Sequence, residues 1–110
     1  MMQFTDSHCH LDSETFSKQL PSVLTQCNNL SINRIIIPAI SPKNFDSVLS
    51  LADKYHKKPI KLYPCLGIHP WFLDGLNDVD LECLATTVIK EKSRIVAIGE
   101  TGIDVQIIHT

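Results

Sequence analysis

Four short apolar runs, residues 3–8, 34–39, 61–66 and 94–98, are separated by intervals each long enough to hold one helix, and this alternation limits the chain to few folds. Ile35-Ile36-Ile37 and Ile95-Val96-Ala97-Ile98 lack polar alternation, as strands buried on both faces do. The first helix is expected to start at Pro21, whose fixed φ suits a first helical position. Leu20, Val23, Leu24 and Cys27 give it an apolar face, Asn28-Asn29 end it, and residues 12–19 are left as a loop. The second has Ser41 as cap, Pro42 at its first position and Phe45, Val48, Leu49, Ala52 and Tyr55 at helical spacing, with Lys57, Lys58 and Pro59 closing it. The third carries Leu81, Leu84, Ala85, Val88 and Ile89. Asn77 or Asp78 caps it, Asp80 and Glu82 lie in its first turn and Lys90 and Lys92 in its last, a polarity that suits the helix dipole. Strands joined by crossovers of this length run parallel with right-handed connections, so an α/β fold of βαβαβαβ type is expected. Periodicity alone leaves open whether the strands form a small open sheet or half of an eight-stranded barrel.

Composition narrows the function classes. With 110 residues and 44% hydrophobic side chains, the chain can bury one core, and residues 1–110 are expected to form a single unit without linker or low-complexity segment. It has no apolar stretch of membrane-spanning length, and Met1-Met2 runs into Gln3, Asp6 and His8 without a leader pattern, so no membrane association is expected. The formal charge is -2, and the basic residues are scattered, with Lys57-Lys58 the only adjacent pair, so any contact with nucleic acid has to be local. Cys9, Cys27, Cys65 and Cys83 form no Cys-x-x-Cys pair and sit among apolar neighbours, which predicts reduced, mostly buried thiols in a cytoplasmic protein.

Three motifs stand at expected strand ends. In Asp6-Ser7-His8-Cys9-His10-Leu11-Asp12, residues two apart in extended backbone point the same way, so His8 and His10 can face one cation while Cys9 turns aside. Taken alone, the pair is equally explained by polar side chains bonded to backbone or water. Gly67-Ile68-His69-Pro70-Trp71 holds a histidine in a tight loop, where it either serves chemistry or packs over Trp71. In Gly99-Glu100-Thr101-Gly102-Ile103-Asp104 an apolar strand passes directly to a carboxylate, whose burial requires a metal, a set of donors, or a salt bridge to Arg34 or Arg94. Both arginines lie near the starts of their strands, at the other end of the sheet. Since all three motifs fall at the carboxyl ends of parallel strands, they converge on the rim where α/β folds place their sites. Two imidazoles and a carboxylate make a mixed nitrogen–oxygen set for zinc, manganese, magnesium or iron, and a bridging carboxylate can serve two ions.

These three segments, in order and approximate spacing, resemble the first three signatures of the TatD family of metal-dependent deoxyribonucleases, over nearly the whole chain from Gln3 to Asp104. The resemblance implies a (β/α)8 TIM barrel of the metal-dependent hydrolase type, of which this chain supplies the first four strands and three helices. It further implies cleavage of DNA phosphodiester bonds, often from an end, by metal-activated water, with two divalent ions such as Mg, Mn or Zn. His8 and His10 would bind one metal, Glu100 would bridge two and act in catalysis, His69 would face the substrate phosphate, and Asp104 would stand behind the ligands. Another ester or amide as substrate, or a non-catalytic folded remnant, are the alternatives. Complete members use two further histidines and an aspartate on later strands. His109 follows Glu100 too closely to replace either histidine, and the tail from Val105 to Thr110 departs from the polar and aromatic character expected there. The expectation is therefore a shortened chain, weak or inactive by itself, whose first and fourth strands are open edges through which it self-associates.

Overall fold

A computed structural model of the chain describes residues 2–57 and 59–106. Its centre is one four-stranded sheet of order β1-β2-β3-β4, built from β1 (Phe4–Asp6), β2 (Ile32–Pro38), β3 (Lys61–Leu66) and β4 (Ala97–Ile98). Every neighbouring pair is parallel. Long crossovers force this arrangement, because a strand can return to the same end of the sheet only after a helix has carried the chain back. The sheet is the curled first half of the barrel anticipated from sequence, and each strand lies beside the next in chain order.

The core lies between β2, β3 and the helices behind them. Ile35, Ile37, Leu62 and Leu66 meet Leu24 of α2 (Leu20–Asn29) and Phe45, Val48, Leu49 and Ala52 of α3 (Phe45–Lys54), all of them buried. Branched side chains suit these two strands because the pleated surface packs well against helices on this side. By contrast, β1 and β4 are exposed at every residue, including Phe4 and Ile98, so the expected burial on both faces fails for them. On the second face of the central strands it holds only at Pro38 and Cys65, with Ile36 and Tyr63 half-buried and Arg34 and Lys61 exposed. No described element covers the outer edges of β1 and β4, which accounts for their exposure.

Other local expectations are revised. Residues 12–19 are not all loop, since Glu14–Ser17 form the short α1, with Phe16 packed against the core. The next helix starts at Leu20 with Pro21 in its first turn, and it includes Asn28 and Asn29 instead of ending before them. It closes through Ser31, whose φ of 65° turns the chain into β2. Ser41 and Pro42 do cap a helical segment, but its first turn, Pro42–Asn44, is a 3-10 turn, and α3 proper begins at Phe45. The cap is reciprocal: Ser41 Oγ accepts from the Lys43 amide, and Asn44 Oδ1 accepts from the Ser41 amide.

Asn77 caps α4 (Asp78–Lys90) in the same reciprocal way, with Asp80 as its partner, and the helix ends at Lys90, short of Lys92. No α4 residue is fully buried; Cys83, Leu84 and Val88 rest on the core while Leu81 and Ile89 face outward. The run expected as a strand over 94–98 is regular strand only at Ala97–Ile98, with the Val96 amide still donating to the Pro64 carbonyl, because Arg94 is drawn to α3, where it bonds Asp53 and the Leu49 carbonyl. Of the four free thiols only Cys65 is buried, the other three being half-buried. Lys58, expected among the residues closing α3, and His109, in the tail, lie outside the described residues. Among the described residues no helix is long and apolar enough to cross a membrane.

Candidate metal centre

Each motif begins where a strand stops, so parallel pairing alone delivers His8, His10, His69 and Glu100 to one end of the sheet. After β1, the Asp6 carboxylate accepts the His8 amide at 3.0 Å and the Cys9 amide donates to the Ile36 carbonyl at 3.1 Å, which keeps the chain extended past the last paired residue. Alternation then sends both imidazoles to one side, with Nε2 of His8 and Nε2 of His10 3.2 Å apart. Asp12, at the far end of the same motif, accepts from Asn44 Nδ2 at 2.9 Å, so the capping residue of the α3 segment also fastens the histidine loop.

Glu100 arrives from β4. The Gly99 amide donates to the Leu66 carbonyl and the Glu100 amide to the Ala39 carbonyl, both at 2.8 Å, which ties the backbone of Glu100 to the ends of β3 and β2. This close approach depends on Gly67. A Cβ there would lie 2.5 Å from the Glu100 carbonyl oxygen and 2.6 Å from the Gly99 carbonyl carbon, so only glycine admits the Gly99–Glu100 peptide against β3.

The carboxylate divides its two oxygens. Oε2 stands 3.3 Å from His8 Nε2 and 3.1 Å from His10 Nε2, while Oε1 stands 3.3 Å from His69 Nε2. Although Oε2 is buried and within ion-pair distance of two imidazoles, it has no hydrogen-bond partner, because neither contact has hydrogen-bonding geometry. Three donors at mutual separations of 3.1–3.3 Å fit a common cation. An ion holding nitrogen and oxygen at about 2.0–2.2 Å spaces neighbouring donors roughly 3.0–3.5 Å apart. The donor set and an orphaned anionic oxygen thus both suit a divalent metal.

His69 has a different environment. Its amide donates to the Ile40 carbonyl at 2.7 Å, and its Nδ1 accepts the Trp71 amide at 3.0 Å. Since Nδ1 is an acceptor, the neutral ring carries its proton on Nε2, the atom that faces Glu100 Oε1. The Trp71 ring lies edge-on to His69 at 5.3 Å and is mostly exposed, so it packs beside the histidine while remaining open to solvent. Asp104 does not reach the histidine–glutamate cluster. It accepts Trp71 Nε1 at 2.7 Å and the Gln106 amide at 2.8 Å, and the indole N–H, followed by the Gln106 amide, holds its carboxyl below the usual aspartate range. Among the described residues its hydrogen-bonded link toward the rim is Trp71, whose ring lies against His69.

Neither arginine considered as a partner for Glu100 pairs with it. Arg94 bonds Asp53 and Glu91, both at 2.6 Å, and Arg34 has no ion-pair partner among the described residues. The sequence reading missed Asn44, whose position at the third residue of a capped turn was visible but whose reach to Asp12 depends on how β1 and β2 are placed. It also missed Trp71 as a link, because nothing in the sequence indicated that Asp104 would fold back to the indole.

The model of the TatD related DNase family matches residues 5–109 of the chain. The chain belongs to the TatD family. An Escherichia coli TatD relative, described as an uncharacterized metal-dependent hydrolase, YjjV, is 37% identical over 93% of this chain and 38% of its own length. The human deoxyribonuclease TATDN3 is 29% identical over 90% of this chain and 37% of its own. The crystal structure of YjjV superposes with a TM-score of 0.84. A TatD family hydrolase from Entamoeba histolytica gives 0.83 at 25% identity, over 96% of this chain and 39% of that one. The chain therefore has the fold of the first part of a TatD barrel and spans somewhat over a third of the length of these TatD relatives.

Proposed function

We propose that this chain supplies the first wall of a divalent-metal phosphodiesterase site acting on DNA, with His8 and His10 holding one ion and Glu100 bridging it to a second. The observation that carries the reading is the triangle of His8 Nε2, His10 Nε2 and Glu100 Oε2, with Oε2 buried and unbonded. Glu100 Oε1, turned away from the histidine pair and 3.3 Å from His69 Nε2, is the oxygen that would be offered to a second ion. When bound, such ions acidify a water and steady charge on the attacking and leaving oxygens. His69 offers an Nε2–H beside Glu100, which places a hydrogen-bond donor where a phosphate oxygen would lie. Without a basic stripe, the substrate is held at one phosphate, which suits a DNA end better than the middle of a duplex.

In the 110-residue chain alone this site binds metal but turns over little. The His8 and His10 side chains are 51% and 39% exposed, and no opposite wall among the described residues orients a substrate. The test compares this chain with one extended to the length of its relatives, each given Mn or Mg with single-stranded DNA and with a panel of simple esters and amides. The reading expects DNA hydrolysis by the extended chain, abolished by His8→Ala and by Glu100→Ala. Hydrolysis of an ester or amide with DNA left intact would replace the substrate class, and metal binding without turnover in both chains would leave a non-catalytic remnant. Exposed Phe4 and Ile98 on the edge strands, with Val96 just before the second, lead us to propose self-association too, to be checked by light scattering. The four free thiols fit a cytoplasmic setting.

A further inference from the structure

The pole opposite the metal rim has its own chemistry. There β2 and β3 begin, and register places Arg34 directly beside Lys61 on the neighbouring strand, whose backbone runs about 4.8 Å away. Lys57 and His56, from the turn after α3, join them around a cavity of about 450 Å³ that Asn33 and Tyr63 also line. Like charges in register are unfavourable unless an anion or a carboxylate offsets them. Neither Arg34, Lys57 nor Lys61 has an ion-pair partner among the described residues, and the nearby Asp53 is taken by Arg94. Other polar groups line the same cavity. His56 directs Nδ1 to the Asp53 carbonyl at 2.6 Å, leaving Nε2 as its other polar atom. The Lys61 ammonium stands 5.1 Å from the centre of the Tyr63 ring, and Asn33 Oδ1 is buried without a hydrogen-bond partner. The cationic pair favours an anion and the orphaned acceptor in the same cavity favours a donor, and a phosphomonoester bearing hydroxyl or amine groups brings both over the breadth of the cavity.

We infer that this pole binds a nucleoside monophosphate: the phosphate lies against Arg34 and Lys61, a sugar hydroxyl or base amine donates to Asn33 Oδ1, and the base lies along Tyr63. Arginine holds a phosphate with two parallel N–H bonds and lysine adds a point charge, the division of labour found where phosphates are recognised. The cavity lies within the range of small-ligand sites and is separated from the rim by the length of the strands. The inference uses none of the metal ligands and stands apart from the proposed hydrolysis.

The test follows backbone amide NMR shifts of the labelled chain at low salt with a metal chelator present, on adding deoxyadenosine monophosphate, inorganic phosphate or deoxyadenosine. The monophosphate is expected to shift the amides of residues 33, 34, 56, 57 and 61, inorganic phosphate to do so more weakly, and deoxyadenosine to have little effect. Arg34→Gln and Lys61→Gln, both at exposed positions, should each weaken the monophosphate about tenfold while leaving the spectrum of a folded chain. Asn33→Ala should bring the monophosphate down to the level of inorganic phosphate. Equal response to deoxyadenosine, shifts confined to the rim, affinity within about twofold in both charge variants, or no response at about 10 mM would each overturn the inference. The metal reading fails separately, through zinc alone on Glu100→Gln.

Discussion

Replacing Gly67 by alanine tests whether backbone packing positions the metal carboxylate. The added methyl would meet the Glu100 carbonyl oxygen, the Gly99 carbonyl carbon and the Glu100 amide nitrogen at 2.5, 2.6 and 2.8 Å, all of them backbone atoms that no rotamer change can move. Restoring ordinary contact pushes that peptide back by about 1 Å. The amide bonds from Gly99 to Leu66 and from Glu100 to Ala39, both 2.8 Å, would then lengthen beyond good hydrogen-bond range. Overpacking of this kind costs about 1–3 kcal/mol of stability. The larger effect falls on the site, where donor separations of 3.1–3.3 Å leave no slack for a ligand displaced by that much. A misplacement of about 1 Å weakens a preorganised constellation on the order of a hundredfold. Calorimetric titration with Zn or Co should therefore show tight binding by the native chain and roughly hundredfold weaker binding by Gly67→Ala, while circular dichroism shows both folded. Equal metal affinity in the two folded chains would refute the reasoning, and so would failure of the native chain to bind.

Further expectations follow from other residues. Ile37→Ala, at a side chain with no exposure between sheet and helix, should cost about 2–5 kcal/mol in urea unfolding, whereas the same change at exposed Ile98 should cost under about 1 kcal/mol. Asn77→Ala removes one half of the α4 cap and should cost about 1 kcal/mol, read from the urea midpoint at constant slope. The Asp104 carboxyl is held below its ordinary value, so its bond to Trp71 contributes fully above the ordinary aspartate range and is lost only as the pH falls through the lower folded value. Trp71 is the single tryptophan, and its fluorescence should report that acid transition, which Asp104→Asn should abolish.

The framework of the fold was legible because it follows from chain length between apolar runs. Ile35, Ile37, Leu62 and Leu66 bury the helix-facing side of the central strands, and the crossovers dictate parallel pairing whatever else happens. The outer strands were misread for the same reason: Ile95-Val96-Ala97-Ile98 has the composition of a buried strand, but burial depends on a neighbour that its own residues do not encode. The short α1 escaped notice because four residues carry no periodicity. At the site, His8, His10 and Glu100 were legible because alternation and strand ends decide where they point. Asp104 was not, since its hydrogen bond to an indole more than thirty residues earlier is a tertiary accident of loop shape. The basic pole escaped because Arg34 and Lys61 become neighbours only through register.

The weak seating of α4 affects the order in which the molecule comes apart. A helix with no fully buried side chain opens at low cost, so its amides should exchange with solvent well before those of β2 and β3. Glu100 follows that helix in the chain, yet its backbone is moored to Leu66 at the end of β3 and to Ala39 just after β2, the strands expected to exchange last. The ligand can thus stay in place while the segment leading to it breathes, which separates the lifetime of the metal site from that of its own crossover.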